Sequence, residues 1–117
     1  MLKDVNIGGR IVPLLANGAT PIRYRQVFHK DLIAKMNTEM VADDVSDMAS
    51  ELAFIMAKSA EGAKMNDLSI DKYVEWLEQF EVFDVVNASE DIFNVYIGQD
   101  VSTSTPKKKA SVKQSAS

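Results

Sequence analysis

The sequence predicts a mainly α fold: a small domain of about four helices with a short N-terminal β-hairpin and a disordered C-terminal tail. Apolar residues recur at spacings of three and four through most of the chain, which is the period of an amphipathic helix. A Gly-Gly pair separates two short apolar runs near the N-terminus, and the final stretch has no apolar periodicity. We therefore divide the chain into a helical domain at residues 1–99 and a Lys- and Ser-rich tail at residues 100–117.

The hairpin is predicted from the stretch KDVNIGGRIVPLL. Gly8 and Gly9 form a two-residue connection, and glycine accepts the positive φ that such a connection requires at both positions. Pro13 has no backbone N–H to donate, so the second strand is expected to be short or to lie at an edge. An irregular N-terminal arm is the alternative interpretation of this stretch.

The first helix is predicted from about residue 21 to 37. Thr20 is a favourable N-cap, and Pro21 suits the first helical position, where its missing N–H removes no helical hydrogen bond. An apolar stripe at helical spacing defines the face that is expected to be buried: Tyr24, Val27, Phe28, Leu32 and Ile33.

The second helix, from about residue 42 to 61, has the clearest pattern. Its apolar positions recur at three and four, and its alanines favour the helix and allow close packing. Gly62 is expected to end it. The apolar positions are Val45, Met48, Leu52, Ile55 and Met56, of which the two methionines are expected in the core.

Two further helices follow. Ser69 is expected to cap a helix that anchors the core through Tyr73, Trp76, Leu77 and Phe80. The weak helix formers of FEVF predict a break or bend near residues 80–82. A final helix from about residue 82 to 97, ended by Gly98, is expected to bury Val85, Val86, Ile92, Phe93, Tyr96 and Ile97.

Composition excludes several classes of protein. The absence of cysteine excludes disulfides and thiol chemistry, and it suits a cytosolic protein. No apolar run approaches the roughly 20 residues of a membrane helix, and the N-terminus lacks a signal peptide. Residues 1–104 carry 9 basic and 17 acidic side chains, a net charge of −8, whereas the last 13 residues carry +4. Because so acidic a body repels phosphate backbones, we expect no nucleic-acid partner, and because no long apolar run is present, we expect no membrane partner.

No motif in the sequence predicts catalysis or a cofactor. His29 is the only histidine, and no nucleophile or acid partner accompanies it at helical spacing. Two acidic groups, Asp43-Asp44-Asp47 and Glu90-Asp91, lack the alternating ligands and central glycine of a calcium loop, and helix-start charge explains both. We therefore predict no catalytic, cofactor-binding or metal-binding residue.

Methionines near the predicted helix ends are the candidates for a partner surface. Met suits adaptable apolar binding surfaces because its side chain is flexible and polarizable. The candidates, chosen because they lie at or beyond helix ends, are Met36, Met40 and Met65. The residues alone thus indicate a small acidic binding protein.

The order of the segments resembles a known family. TPIRYRQVFHKDL at residues 20–32 and the Trp76-centred YVEWLEQF carry most of the likeness, which covers about residues 2–98. They look like the tail assembly chaperones of long-tailed bacteriophages that infect Gram-positive bacteria. The resemblance implies a protein without enzymatic activity or cofactors that works in the host cytoplasm.

The resemblance also implies partners. Such chaperones bind the long, helical, hydrophobic tape measure protein, keep it soluble, help to recruit the tail tube protein, and leave before the virion is complete. Many occur in a short form and a frameshifted longer form that share the N-terminal part. A homo-oligomer is a further candidate assembly.

The basic tail has three interpretations. Its four lysines lie within seven residues, which suits a nucleic-acid arm by charge alone. PKKK can instead be encoded by a run of adenines on which a ribosome slips, so that the tail would become a linker in a longer product. A flexible terminus without a specific role is the third interpretation.

Two other classes of protein compete with the chaperone. A small phage structural or connector protein would remain in the particle. A transcription regulator would need a basic recognition helix, for which only the first helix, with Arg23, Arg25, Lys30 and Lys35, is a candidate.

Overall fold

The computed structural model, which describes residues 1–32, 34 and 42–98, has a two-stranded antiparallel hairpin followed by helices. In this part of the chain, four helices have at least eight residues, so the predicted mainly α fold with an N-terminal hairpin is confirmed. The elements are β1 (Leu2–Ile7), β2 (Arg10–Leu15), α1 (Thr20–Phe28), α2 (Ala42–Ala60), a 3-10 helix (Met65–Asp67), α3 (Ile70–Leu77), α4 (Asp84–Asn87) and α5 (Ser89–Ile97).

The hairpin turns at Gly8 and Gly9, as predicted. Both glycines have positive φ, 62° and 84°, which is the backbone of a type I′ turn. The strands pair so that one face of the hairpin carries the apolar residues that enter the core. These buried residues are Val5, Ile7, Val12 and Leu14.

Pro13 lies where the ladder needs no donor. Ala16 N–H donates to Met1 O at 2.8 Å, and the Met1 amino group donates back to Ala16 O, so these two residues form a hydrogen-bonded pair. In an antiparallel ladder such pairs alternate with pairs that exchange no hydrogen bond. Pro13 pairs with Asp4 in one of the intervening pairs, which exchange no hydrogen bond. Its nitrogen therefore points away from β1, and β2 is the edge strand that the proline predicted.

Helix α2 is the central element. Nine of the ten residues from Met48 to Ala57 are buried, and the hairpin, α1, α3, α4 and α5 all pack against the helix. A helix that is apolar around most of its circumference must be covered on several sides. Met48 and Met56 lie in this core, as expected.

The first helix is shorter than predicted. It ends at Phe28, because His29 adopts a left-handed backbone with φ 58° and donates its N–H to Arg25 O as a C-terminal cap. The Asp31 carboxylate then accepts a hydrogen bond from Ala34 N–H, which is the arrangement of a new helix start. A continuous helix from 21 to 37 is therefore wrong, although the predicted stripe residues Tyr24, Val27, Phe28 and Leu32 are all buried.

Thr20 does not cap α1 as predicted. It is the first residue of the helix and is buried, and Ala19 occupies the cap position without a side-chain hydrogen bond. The Thr20 hydroxyl instead accepts from Asn17 N–H at 2.9 Å. The hydroxyl thus stabilises the turn before the helix and leaves the first-turn amides to other partners.

The predicted C-terminal end of α2 and the predicted N-cap of α3 are confirmed, whereas α3 ends at Leu77, before Phe80, which was predicted to lie in the helix. Ala63 N–H donates to Lys58 O and Gly62 N–H donates to Ser59 O, which is the Schellman arrangement with a left-handed glycine. Ser69 caps α3, and its hydroxyl accepts from Lys72 N–H at 3.1 Å.

The predicted final helix is two helices. Residues 82 and 83 lie in a turn, α4 covers only Asp84–Asn87, and α5 begins at Ser89. The break turns the chain, so that Val86 and Ile97, which were expected in the core, are 39% and 53% exposed. Val95, which was not predicted, is fully buried together with Ile92.

Among the described residues, none of the helices combines the length and the apolar character that crossing a membrane requires.

Candidate functional site

A tight turn at residues 81–84 holds two apolar side chains in solvent. Asp84 N–H donates to Glu81 O at 3.1 Å, and the Asp84 carboxylate accepts from Glu81 N–H at 2.8 Å. Val82 and Phe83 occupy the two central positions and are 83% and 68% exposed. The reciprocal hydrogen bonds close the turn and fix the backbone from which both side chains project.

The composition of this turn is unusual. Central turn positions favour Gly, Pro, Asn, Asp and Ser, each of which suits a turn backbone or bonds to it. Val82 and Phe83 offer neither property, and at these exposures they contribute little apolar burial to folding. Large apolar side chains presented in this way are typical of a contact made outside the chain.

Gly8 lies against the same turn from the hairpin side. A Cβ atom added to Gly8 would stand 2.2 Å from Asp84 Oδ2, the oxygen that accepts the Glu81 hydrogen bond. A side chain at position 8 would therefore force this carboxylate to shift, and the positive φ of the position favours glycine as well. The hairpin thus supports the position of the exposed turn.

A groove of about 360 Å³ runs beside the turn. Its volume falls at the lower end of the range for binding pockets, which suits a few side chains of a partner. We call it the α3–α4 groove because its walls come from α2, the end of α3, the turn and α4. Its lining residues are Ser46, Asp47, Ser50, Tyr73, Leu77, Phe80, Glu81, Val82, Val85 and Val86.

Aromatic rings in edge-to-face contact fix the floor of the groove. Phe80 contacts Trp76 with ring centroids 5.0 Å apart, and Trp76 contacts Phe54 at 6.0 Å. Phe54 in turn meets Tyr73 at 5.5 Å, so the two aromatic residues of the lining are joined through two buried rings. Edge-to-face contacts of this kind hold the rings in defined orientations.

The polar residues of the groove carry three hydroxyls and two carboxylates. The Ser50 and Tyr73 hydroxyls share a hydrogen bond of 2.7 Å. Burial raises the pKa of the Tyr73 hydroxyl, so this group is neutral at physiological pH. Asp47 and Glu81 are the charged residues among the described lining, and both are exposed at its rim.

A buried polar cluster joins α1 to α2 behind this surface. The Tyr24 hydroxyl donates to Glu51 Oε1 at 2.6 Å, and Lys30 Nζ donates to Glu51 Oε2 at 2.9 Å. Both carboxylate oxygens of the buried Glu51 are therefore paired. The cluster uses its groups for packing α1 against α2, and Tyr24 is fully buried.

The methionine candidates do not form this site. Met65 is 37% exposed in the 3-10 helix and does not line the groove. Met36 and Met40 lie outside the described residues, as do Ile33 and the tail from residue 99 onward. The single histidine, His29, is exposed at the end of α1.

The exposed turn was missed from the sequence for an identifiable reason. FEVF predicted a break or bend near residues 80–82, and the chain does leave the helix there, but the final helix was predicted to begin at about residue 82, which left no turn for Val82 and Phe83. The available signal was the charge pattern, because Glu81 and Asp84 bracket the two apolar residues at the spacing of a hydrogen-bonded turn.

Within the described part of the chain, no group of three or more His, Cys, Asp or Glu side chains is placed to hold a metal ion. The side chains that meet in the α3–α4 groove are five apolar residues, three that carry hydroxyls and two that carry carboxylates. This arrangement suits the burial of apolar groups from a partner.

No protein-family model, curated protein or solved structure matches this chain.

Proposed function

We propose that this protein is a non-enzymatic binding protein that recognises an apolar helical segment of a client through the α3–α4 groove. The observation that carries the proposal is the hydrogen-bonded turn that holds Val82 and Phe83 beside the groove. An amphipathic helix laid into an apolar groove is a common form of peptide recognition, and its anchors are apolar residues one turn apart.

The proposed biological role is that of a phage tail assembly chaperone. It would bind the tape measure protein in the host cytoplasm, keep it soluble, help to recruit the tail tube protein and leave before the virion is complete. The resemblance of residues 20–32 and of the segment around Trp76 supports this role. The negative charge of the body supports it too, since like charges keep loaded complexes apart.

The tail has a separate proposed role. We assign to residues 100–117 no part in client binding, because they offer few apolar side chains for the groove. In a frameshifted longer form, the same residues would join the chaperone domain to an extension. The coding sequence tests this directly, since lysine codons spelled AAG throughout would remove the slippery run.

Co-expression with the tape measure protein tests the proposed function. The full chain and a variant that lacks residues 100–117 are each expressed with the client, and soluble client is measured at two salt concentrations. Both forms should solubilise the client similarly, and moderate salt should weaken the complex little, because screening acts on charges and not on apolar contacts. Failure of both forms to solubilise the client would contradict the proposal.

Mass spectrometry of purified virions separates the chaperone from a structural or connector protein. An assembly chaperone is expected to be absent from the finished particle, or present only in traces. A stoichiometric amount in the virion would favour the structural protein.

A further inference from the structure

The rim of the α3–α4 groove is acidic. Glu78, Glu81 and Asp84 fall within seven residues around the exposed turn, and Asp47 lines the same groove from α2. Basic residues do not occur among the described lining. An apolar groove with this rim is complementary to a partner that carries positive charge beside its apolar anchors.

The basic side chain next to this region is engaged within the chain. The Arg10 guanidinium lies over the Phe80 ring at 5.6 Å from its centroid and donates to Gln79 Oε1 at 2.6 Å. Arg10 thus covers the side of Phe80 nearest the hairpin. Among the described residues, no ion pair joins Arg10 to Asp47 or Glu81, and both rim carboxylates are exposed.

We propose that the partner of the α3–α4 groove is an amphipathic helix whose apolar stripe is flanked by Lys or Arg. This inference rests on the proposed function and specifies which helical segments of a client the groove accepts. Apolar side chains one turn apart pack against Val82, Phe83 and Val86, and flanking cations lie near Asp47 and Glu81. Apolar contact supplies most of the affinity, and the charges select among segments that are otherwise equally apolar.

Two other occupants fit the groove less well. The chain's own tail has the complementary charge, with four lysines, but only Val112 and two alanines accompany them as apolar residues in residues 103–117. An anionic membrane would accept Phe83 and Val82, but Glu78, Glu81 and Asp84 would be repelled by its headgroups. The amphipathic basic helix satisfies both the apolar wall and the acidic rim.

Synthetic helices can test the charge preference with the full-length protein. Two labelled peptides carry the same leucine stripe, flanked in one by lysines and in the other by glutamates, and a third has the sequence of residues 103–117. Fluorescence anisotropy gives each affinity at low and at high salt. The lysine-flanked helix should bind about tenfold more tightly than the glutamate-flanked helix at low salt, and the ratio should shrink towards one at high salt. The tail peptide should bind at least about tenfold more weakly than the lysine-flanked helix, because it lacks the apolar stripe.

Variants that remove charges show which carboxylates cause the preference for the lysine-flanked helix. Asp47→Asn with Glu81→Gln should abolish the difference between the two helices. Asp4→Asn with Glu75→Gln removes the same number of charges from exposed positions outside the groove and should preserve the difference.

Equal affinities for both helices in the unmodified protein would overturn the charge preference and leave the apolar groove as the binding site. Failure of both helices to bind would contradict the proposed function itself, and equally tight binding of the tail peptide would show that charge alone drives the contact.

Discussion

At the scale of single residues, Trp76 links the core to the proposed binding surface. Its ring is 7% exposed and makes edge-to-face contacts with Phe54 from α2 and with Phe80, which lines the groove. The ring therefore supports both the packing of α3 and the floor of the groove.

Trp76→Ala should destabilise the protein by about 3–5 kcal/mol, the range for truncating a large buried aromatic residue. Chemical denaturation measures the loss, and Trp76→Phe should cost less because it keeps a ring in the same place. A loss below about 1 kcal/mol would mean that the indole contributes little to the core and is available to a client.

The buried Tyr24 hydroxyl makes the free energy of unfolding decrease at alkaline pH. Burial, and then the hydrogen bond to Glu51, raise the pKa of its hydroxyl, whereas an unfolded tyrosine ionises near pH 10. Above that pH the unfolded chain loses a proton that the folded protein keeps. This group therefore lowers the free energy of unfolding by about 1.4 kcal/mol for each further pH unit.

Tyr24→Phe should remove that contribution. The variant should be less stable at neutral pH, because Glu51 loses one hydrogen bond, but its stability should decline less steeply above pH 10. Urea denaturation of both proteins from pH 8 to 11 gives the two slopes. Parallel curves would show that the Tyr24 hydroxyl does not titrate differently in the folded protein.

At the scale of elements, His29 decides where the first helix ends. Its left-handed backbone costs a non-glycine residue about 1–2 kcal/mol, and its side chain is exposed. His29→Gly should therefore stabilise the protein by about 0.5–1 kcal/mol. If the helix continued through residue 29, the same substitution would instead lower the free energy of unfolding by about 1 kcal/mol. We expect a loss of that size for Gln26→Gly, which lies inside α1. Thermal or chemical denaturation of the two variants shows whether each substitution raises or lowers the stability.

Gly8 and Gly9 form a matched pair for testing the contact between the hairpin and the turn. Alanine at either position meets the strain of positive φ, but only at Gly8 would its Cβ collide with Asp84. Gly8→Ala should therefore cost about 1–3 kcal/mol more than Gly9→Ala. The measurement is the midpoint of chemical denaturation for each variant. Equal losses would show that the Asp84 carboxylate moves away without cost.

The elements that were predicted correctly have local signals. Gly8-Gly9, Gly62, Ser69 and Gly98 each mark a turn or a helix end by their own backbone or hydrogen-bonding properties. The breaks at His29 and Ala88 have no such residue. His29 takes a backbone conformation that glycine usually takes. The burial pattern of the first helix continues across this break, so periodicity alone favours one long helix.

At the scale of the whole molecule, charge and core were predictable and the proposed binding surface was not. The apolar period identified α2 as a core helix, and Met48 and Met56 are buried in it. The α3–α4 groove depends on the angle between α3 and α4, which is set by the turn at residues 81–84 and its contact with Gly8. The approach of Gly8 to Asp84 joins residues 76 positions apart, and a single sequence does not reveal it.

The central claim is that the exposed turn binds the client, and paired surface variants test it most directly. Val82→Asp with Phe83→Ser changes the turn, and Leu2→Asp with Ile11→Ser changes two residues of the hairpin that are each 61% exposed. Each variant is co-expressed with the tape measure protein, after denaturation has shown that its stability is unchanged. The turn variant should lose most of the soluble, co-purifying client, and the hairpin variant should retain it, because apolar anchors at the centre of an interface carry most of the binding energy. Full retention of client by the turn variant would contradict the account.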